Sequence, residues 1–95
     1  MLTGKQKGQL RSIAHNMNAL FQVGKDGVNE NMVMDILKYL TKHELLKVSI
    51  LQNCNQDKNE IAEIFSEYEI EVVQIIGKTI VLYKQSDDAI NPIKL

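Results

Sequence analysis

The segment best suited to a specific chemical role is Gly24-Lys25-Asp26-Gly27, in which two glycines are separated by a lysine and an aspartate. The first glycine can adopt a positive φ, and the second allows a close approach to the backbone because it lacks a Cβ. If a helix begins after this loop, its unpaired N–H groups and positive dipole end favour a phosphate nearby. The same residues also suit an ordinary strand-to-helix turn, in which Asp-Gly supplies the turn chemistry. This segment alone leaves both interpretations open.

Positive charge is concentrated near the start of the chain. The first 25 residues contain no acid and carry four cations, namely Lys5, Lys7, Arg11 and Lys25. Residues 1–47 sum to +3 and residues 48–95 to −4, although the whole chain has a net charge of only −1. Steps of four residues place Lys7, Arg11 and His15 in a stripe along one edge of a helix. Such a stripe can bind an anionic partner, or it can be an ordinary solvated helix face.

The sequence contains few residues suited to catalysis or metal binding. Cys54 is the only cysteine, so an intrachain disulfide is excluded and a cytoplasmic location is expected. Two histidines and one cysteine lack the spacing of a zinc site. The glycine segment also lacks the lysine and hydroxyl pattern of a P-loop. We therefore expect no enzyme activity, cofactor or metal, and the absence of an 18-residue apolar run predicts no membrane partner or span.

The elements that must position these residues follow from apolar periodicity. Spacings of three and four predict three helices, each with a capping residue before it: Thr3, Asn29 and Asp57. Alternating or β-branched runs predict four strands: 20–23, 46–50, 71–76 and 79–83. Between the last two strands, Gly77-Lys78 suits a two-residue hairpin turn of type II′.

The predicted order of elements is helix, strand, helix, strand, helix, strand, strand. This order predicts an α/β fold of the two-layer α+β kind, in which three helices pack on a small mixed four-stranded sheet. A single domain is expected over residues 1–84. Residues 85–95 are polar and acidic, then weakly apolar, and are predicted to form a mobile C-terminal tail.

Several segments together resemble one family. They are Leu2–Lys7 with Leu10-Arg11 and Ala14-His15, the glycine segment, His43–Val48 and Gln74–Tyr83. Because they occur in order over roughly residues 2–84, the chain is similar to CRM domains, whose bacterial single-domain members are called YhbY-like proteins. The resemblance implies an RNA-binding domain whose fold is similar to the C-terminal domain of translation initiation factor three. It also implies association with precursors of the large ribosomal subunit.

The resemblance and the charges together give a set of candidate site residues. The primary candidates for contact with RNA are Lys5, Lys7, Arg11, Gly24, Lys25, Asp26 and Gly27. Three further candidates are His15, Lys78 and Lys84. The cations would neutralise phosphates, while the glycines would let a sugar-phosphate strand meet the loop backbone, as G-x-x-G loops do in KH domains.

An alternative function is a protein-interaction module. The third helix presents three acids, Glu60, Glu63 and Glu67, and the near-neutral net charge suits a protein partner on the ribosome, such as a ribosomal protein, or elsewhere in the translation machinery. The two functions differ in their response to salt. Phosphate binding weakens steeply as salt is added, whereas a largely apolar protein interface responds far less.

Overall fold

The computed structural model describes residues 2–95. The elements are α1 (Gly4–Ala14), β1 (Phe21–Val23), α2 (Glu30–His43), β2 (Leu45–Ile50), α3 (Lys58–Glu67), β3 (Glu71–Ile76) and β4 (Thr79–Tyr83). The four strands form one sheet in the order β1-β2-β4-β3. β1 runs parallel to β2, and the other two pairings are antiparallel. The predicted element order and the mixed four-stranded sheet with three helices are confirmed.

Local side-chain chemistry sets the start of each helix. Thr3 and Gln6 form a reciprocal capping box at α1. The side chain of Asn29 accepts the Met32 N–H at α2, and Asp57 caps α3 in the same manner. Each of these caps satisfies a backbone donor that the helix itself leaves unpaired. All three predicted capping residues are confirmed.

Helices cover the sheet on both faces, which differs from the expected two layers. On one face α2 and α3 enclose the larger core, which includes Leu46 and Leu82. On the other face α1 packs over a second cluster that contains Leu45, Val81 and Tyr83. Successive residues of a strand point to opposite faces, so the apolar pair Leu45-Leu46 of β2 and the apolar run of β4 give both faces an apolar surface.

The two ends of the sheet are distinct. At the loop end, β1 and β2 finish at Val23 and Ile50, and the Gly77-Lys78 turn joins β3 to β4. At the tail end, β2 begins at Leu45 and β4 finishes at Tyr83. Among residues 2–95, no helix has the length and apolarity needed to cross a membrane.

The C-terminal tail, which the sequence predicts to be mobile, makes hydrogen bonds and apolar contacts at the tail end. Glu44 is 1% exposed, and its two carboxylate oxygens accept the N–H groups of Ser86 at 2.8 Å and Ile93 at 2.7 Å. The Ile90 N–H donates to the Lys42 carbonyl, and the Ile93 side chain packs on the α1 cluster. A buried carboxylate requires hydrogen-bond donors, and here the backbone of the tail supplies them.

Candidate nucleic-acid interface

The glycine segment forms a tight turn directly after β1. The Gly27 N–H donates to the Gly24 carbonyl at 3.0 Å, which closes the turn. Lys25 and Asp26 are exposed at its tip, whereas Gly27 is buried. Gly27 has a φ of +71°, a left-handed conformation in which any residue with a Cβ is strained. The turn therefore presents one cation and one anion to solvent, and its second glycine faces the protein.

The side chain of Gln56 fills the space beside Gly27. Its Oε1 accepts the Val28 N–H at 2.8 Å, and a Cβ added to Gly27 would overlap this side chain. At Gly24, by contrast, an added Cβ would lie 3.9 Å from Leu51, an ordinary van der Waals contact. The absence of a Cβ at Gly27 thus allows the Gln56 side chain of the same chain to approach closely. Gln56 was missed in the sequence, where nothing links it to a loop 28 residues away.

The basic residues of α1 and its C-cap fall into two sets. Lys7, Arg11 and His15 lie on one side of the helix, because residues four apart share a face; we call this side the basic flank. Arg11 and His15 are exposed, and Lys7 is half-buried. Lys5 is exposed but lies roughly 160° around the helix from Lys7. The four side chains therefore cannot form one continuous stripe.

The basic flank is directed toward the loop half of the sheet. On the opposite side of α1, Gln6 and Ile13 line two surface cavities that they share with Ile93 of the docked tail. Since the buried side of α1 rests on the sheet between these two flanks, Lys7 and Arg11 must overlook the half of the sheet away from the tail. The basic flank thus lies on the α1 face, whereas the glycine turn lies at the loop end, between β1 and the helix α2 of the opposite face.

The two lysines beyond the glycine loop lie at opposite ends of the sheet. Lys78 is exposed in the β3–β4 turn at the loop end, and its carbonyl accepts the Ile50 N–H at 2.7 Å. Lys84 follows β4 at the tail end, where its Nζ donates to the Glu69 carbonyl at 3.3 Å and its N–H to the Glu44 carbonyl at 2.9 Å. The structure therefore places Lys78, but not Lys84, at the same end as the glycine turn.

Metal binding finds no support in this geometry. Across the described part of the chain, no three His, Cys, Asp or Glu side chains form a group that could hold a metal ion. What the arrangement offers is a set of exposed cations next to polar backbone, which suits electrostatic and hydrogen-bonded contact with an anionic chain.

Comparison with known proteins identifies the family. The CRS1/YhbY (CRM) domain family model matches residues 2–84. Probable RNA-binding protein YqeI of Bacillus subtilis is 55% identical over 89 residues, which cover 93% of each chain. An RNA-binding protein of Haemophilus influenzae is 35% identical and matches 93% of this chain and 90% of its own length. The solution structure of the hypothetical protein SAV1595 from Staphylococcus aureus superposes with a TM-score of 0.77 at 53% identity and covers 92% of both chains. The chain belongs to the CRS1/YhbY (CRM) domain family.

Proposed function

We propose that this protein binds ribosomal RNA through its basic flank and its glycine turn, and that it assists assembly of the large ribosomal subunit in the cytoplasm. The proposal rests on the position of Lys7 and Arg11 on the flank of α1 away from the tail, and on Lys25 and Lys78 being exposed at the loop end of the sheet. The names of the relatives, which are RNA-binding proteins, support the same function.

The site residues would act mainly on the RNA backbone. Lys7 and Arg11 would neutralise phosphates, and Lys25 would add charge at the tip of the turn. Gly24 has no side chain to hold a strand away, while Asp26 would order the turn through its own backbone. Contacts to phosphate and sugar carry no base information, so we expect recognition of RNA shape with little sequence preference.

A protein partner remains the second candidate function, and α3 is the surface that favours it. Its three acids are exposed on the opposite side of the sheet from the basic flank. A basic ribosomal protein could therefore contact α3 without involving the basic flank. In this case direct RNA contact would not be needed for ribosome association.

Salt dependence distinguishes these functions. The test is to measure the affinity of the full chain for a 23S ribosomal RNA transcript over a series of salt concentrations. We expect the logarithm of the affinity to fall by about 0.7 to 0.9 per phosphate contact for each log unit of salt, with about three contacts. Absence of measurable binding, or an affinity independent of salt, would contradict RNA-backbone binding.

The assembly role needs a separate experiment. Lysates at low salt are separated on sucrose gradients, and the protein is located by immunoblot. We expect it to co-sediment with immature large subunits. Its recovery only in the free fractions would overturn the assembly role while leaving RNA binding in place.

A further inference from the structure

A row of side chains crosses all four strands near the loop end. Strand register places Gln22, Ser49, Thr79 and Ile76 side by side, one from each strand. The row lies on the face that α1 covers, because Thr79 is two residues from Val81 of the α1 cluster. Gln22 and Ile76 are exposed, the latter by 56%, and the other two are half-buried. Since α1 rests on the tail half, this row remains open to solvent.

A second row lies between the first row and α1. Lys47 and Gln74 are the partners of Val81 on either side, and both are half-buried. The Nζ of Lys47 donates to the Met17 carbonyl at 3.0 Å, which holds the segment between α1 and β1 against the sheet. We call the two rows the open face; its residues are Gln22, Lys47, Ser49, Gln74, Ile76 and Thr79.

The charge of the open face suits an anionic chain. Its residues include one lysine and no acid, and most of the others carry amide or hydroxyl groups. On one side of it lies α1, which carries the basic flank, and on the other side Lys78 is adjacent to Thr79. The acids of α3 lie behind the sheet. A polyanion that follows the basic flank toward the glycine turn would therefore cross the open face without meeting an acidic side chain of that face.

We propose that the open face is an RNA-contact surface that connects the basic flank to the glycine turn, an inference that rests on the RNA-binding function proposed above. Glutamine, serine and threonine side chains can both donate and accept hydrogen bonds, so they suit ribose 2′-hydroxyls and phosphate oxygens. The contact is made to the sugar-phosphate backbone of a structured RNA.

The positions of the aromatic side chains determine this choice of ligand chemistry. Four of the five pack on the core that α2 and α3 enclose: Phe21, Tyr39, Phe65 and Tyr68. Tyr39 lies on α2 against His43, and Tyr83 is buried beneath α1. The open face itself therefore has no ring on which an unpaired base could stack, the feature typical of single-strand binders.

A pair of isosteric double variants tests the inference. Gln22→Glu/Gln74→Glu adds two negative charges to the open face with little change in shape. Gln9→Glu/Gln85→Glu adds the same charge at exposed positions away from it, on the other side of α1 and at the tail end. Affinity for a 23S ribosomal RNA transcript is measured near physiological salt, where charges further apart than about 8 Å are largely screened. Circular dichroism and thermal unfolding establish that each variant is folded.

We expect about a tenfold loss of affinity for the open-face variant and less than about a twofold change for the control. Equal affinities of the two folded variants would overturn the inference. The inference would also be overturned if the open-face variant lost affinity for a basic ribosomal protein or an acidic protein segment while its affinity for RNA stayed unchanged. Failure of the unaltered chain to bind RNA would instead overturn the proposed function. If RNA binding depends on Arg11 but not on the open face, only this inference fails.

Discussion

The loop end and the tail end of the sheet use polar groups in opposite ways. At the loop end, Lys25, Asp26 and Lys78 are exposed on short turns. At the tail end, the carboxylate of Glu44 is buried and both of its oxygens are bonded to the backbone of residues 86–93. The buried carboxylate therefore holds the tail at one end, whereas the charged side chains of the turns at the other end remain exposed.

Both ends carry acids as well as cations. Glu44, Glu69, Glu71, Asp87 and Asp88 lie around the tail end, and at the loop end Asp26 lies in the glycine turn and Asp57 lines a cavity with Lys78. The loop half of the α1 face, by contrast, is bordered by cations. A net charge of −1 is thus the sum of two unlike regions, and the net value says little about either. If the comparison is correct, variants at the tail end should alter stability without altering RNA affinity.

The largest effect is expected at Glu44. Glu44→Ala removes both acceptors that hold the tail, so the free energy of unfolding should fall by about 2 to 4 kcal/mol. Chemical denaturation measures this loss, and Asp87→Ala, which alters an exposed acid of the same tail, serves as control. RNA affinity of the folded Glu44→Ala protein should stay within about twofold of the parent. A comparable loss of stability in the control, or a marked loss of RNA affinity, would contradict the division between the ends.

The next effect separates the two glycines of the turn. Gly27→Ala forces a Cβ into the left-handed region and against Gln56, and should lower the free energy of unfolding by about 1 to 3 kcal/mol. Gly24→Ala has space for its methyl group and should change stability by less than about 1 kcal/mol. Thermal denaturation of the two variants gives the comparison directly. Equal losses would mean that Gln56 does not determine the need for glycine at position 27.

The smallest effect concerns alkaline pH. Burial, and secondarily the negative charge of Glu44, raises the pKa of the Tyr83 phenol above its usual 10.0. Well below pH 10.0 the Tyr83 phenol is neutral in both the folded and the unfolded chain. As pH rises past 10.0, the unfolded chain ionises first, so Tyr83 should cost stability progressively up to its folded pKa. Unfolding curves between about pH 9 and pH 11 should show this loss, and Tyr83→Phe should reduce it; an unchanged pH dependence in Tyr83→Phe would exclude this source.

Local features were predictable from the sequence, and long-range ones were not. Thr3 and Asn29 cap helices through bonds that span three residues, so their role is visible in the sequence. The hairpin turn was equally local: Gly77 has a φ of +54°, and among the described residues the only non-glycines with positive φ are Glu44 and Glu69. Lys78 therefore keeps a negative φ, as the predicted type II′ turn requires.

The missed features depend on residues distant in the chain. Glu44 reaches the tail across 42 and 49 residues, and no pattern around it signals a buried acid. The same holds for the orientation of α1, because periodicity identifies its apolar side but not the strands beneath it. Consequently the candidates Lys7 and Lys78 could be named from the sequence, whereas their separation from Lys84 required the fold.

The central claim is that RNA binds the loop half of the α1 face. Its most direct test compares Lys7→Ala/Arg11→Ala with Lys42→Ala/Lys84→Ala, which removes the same charge at the tail end. Affinity of both folded variants for a 23S ribosomal RNA transcript is measured at physiological salt. We predict a loss of about tenfold to thirtyfold for the first variant, since two charged contacts are removed, and less than about threefold for the second. Equal losses, which net charge alone would produce, or no loss in the first variant would contradict the account.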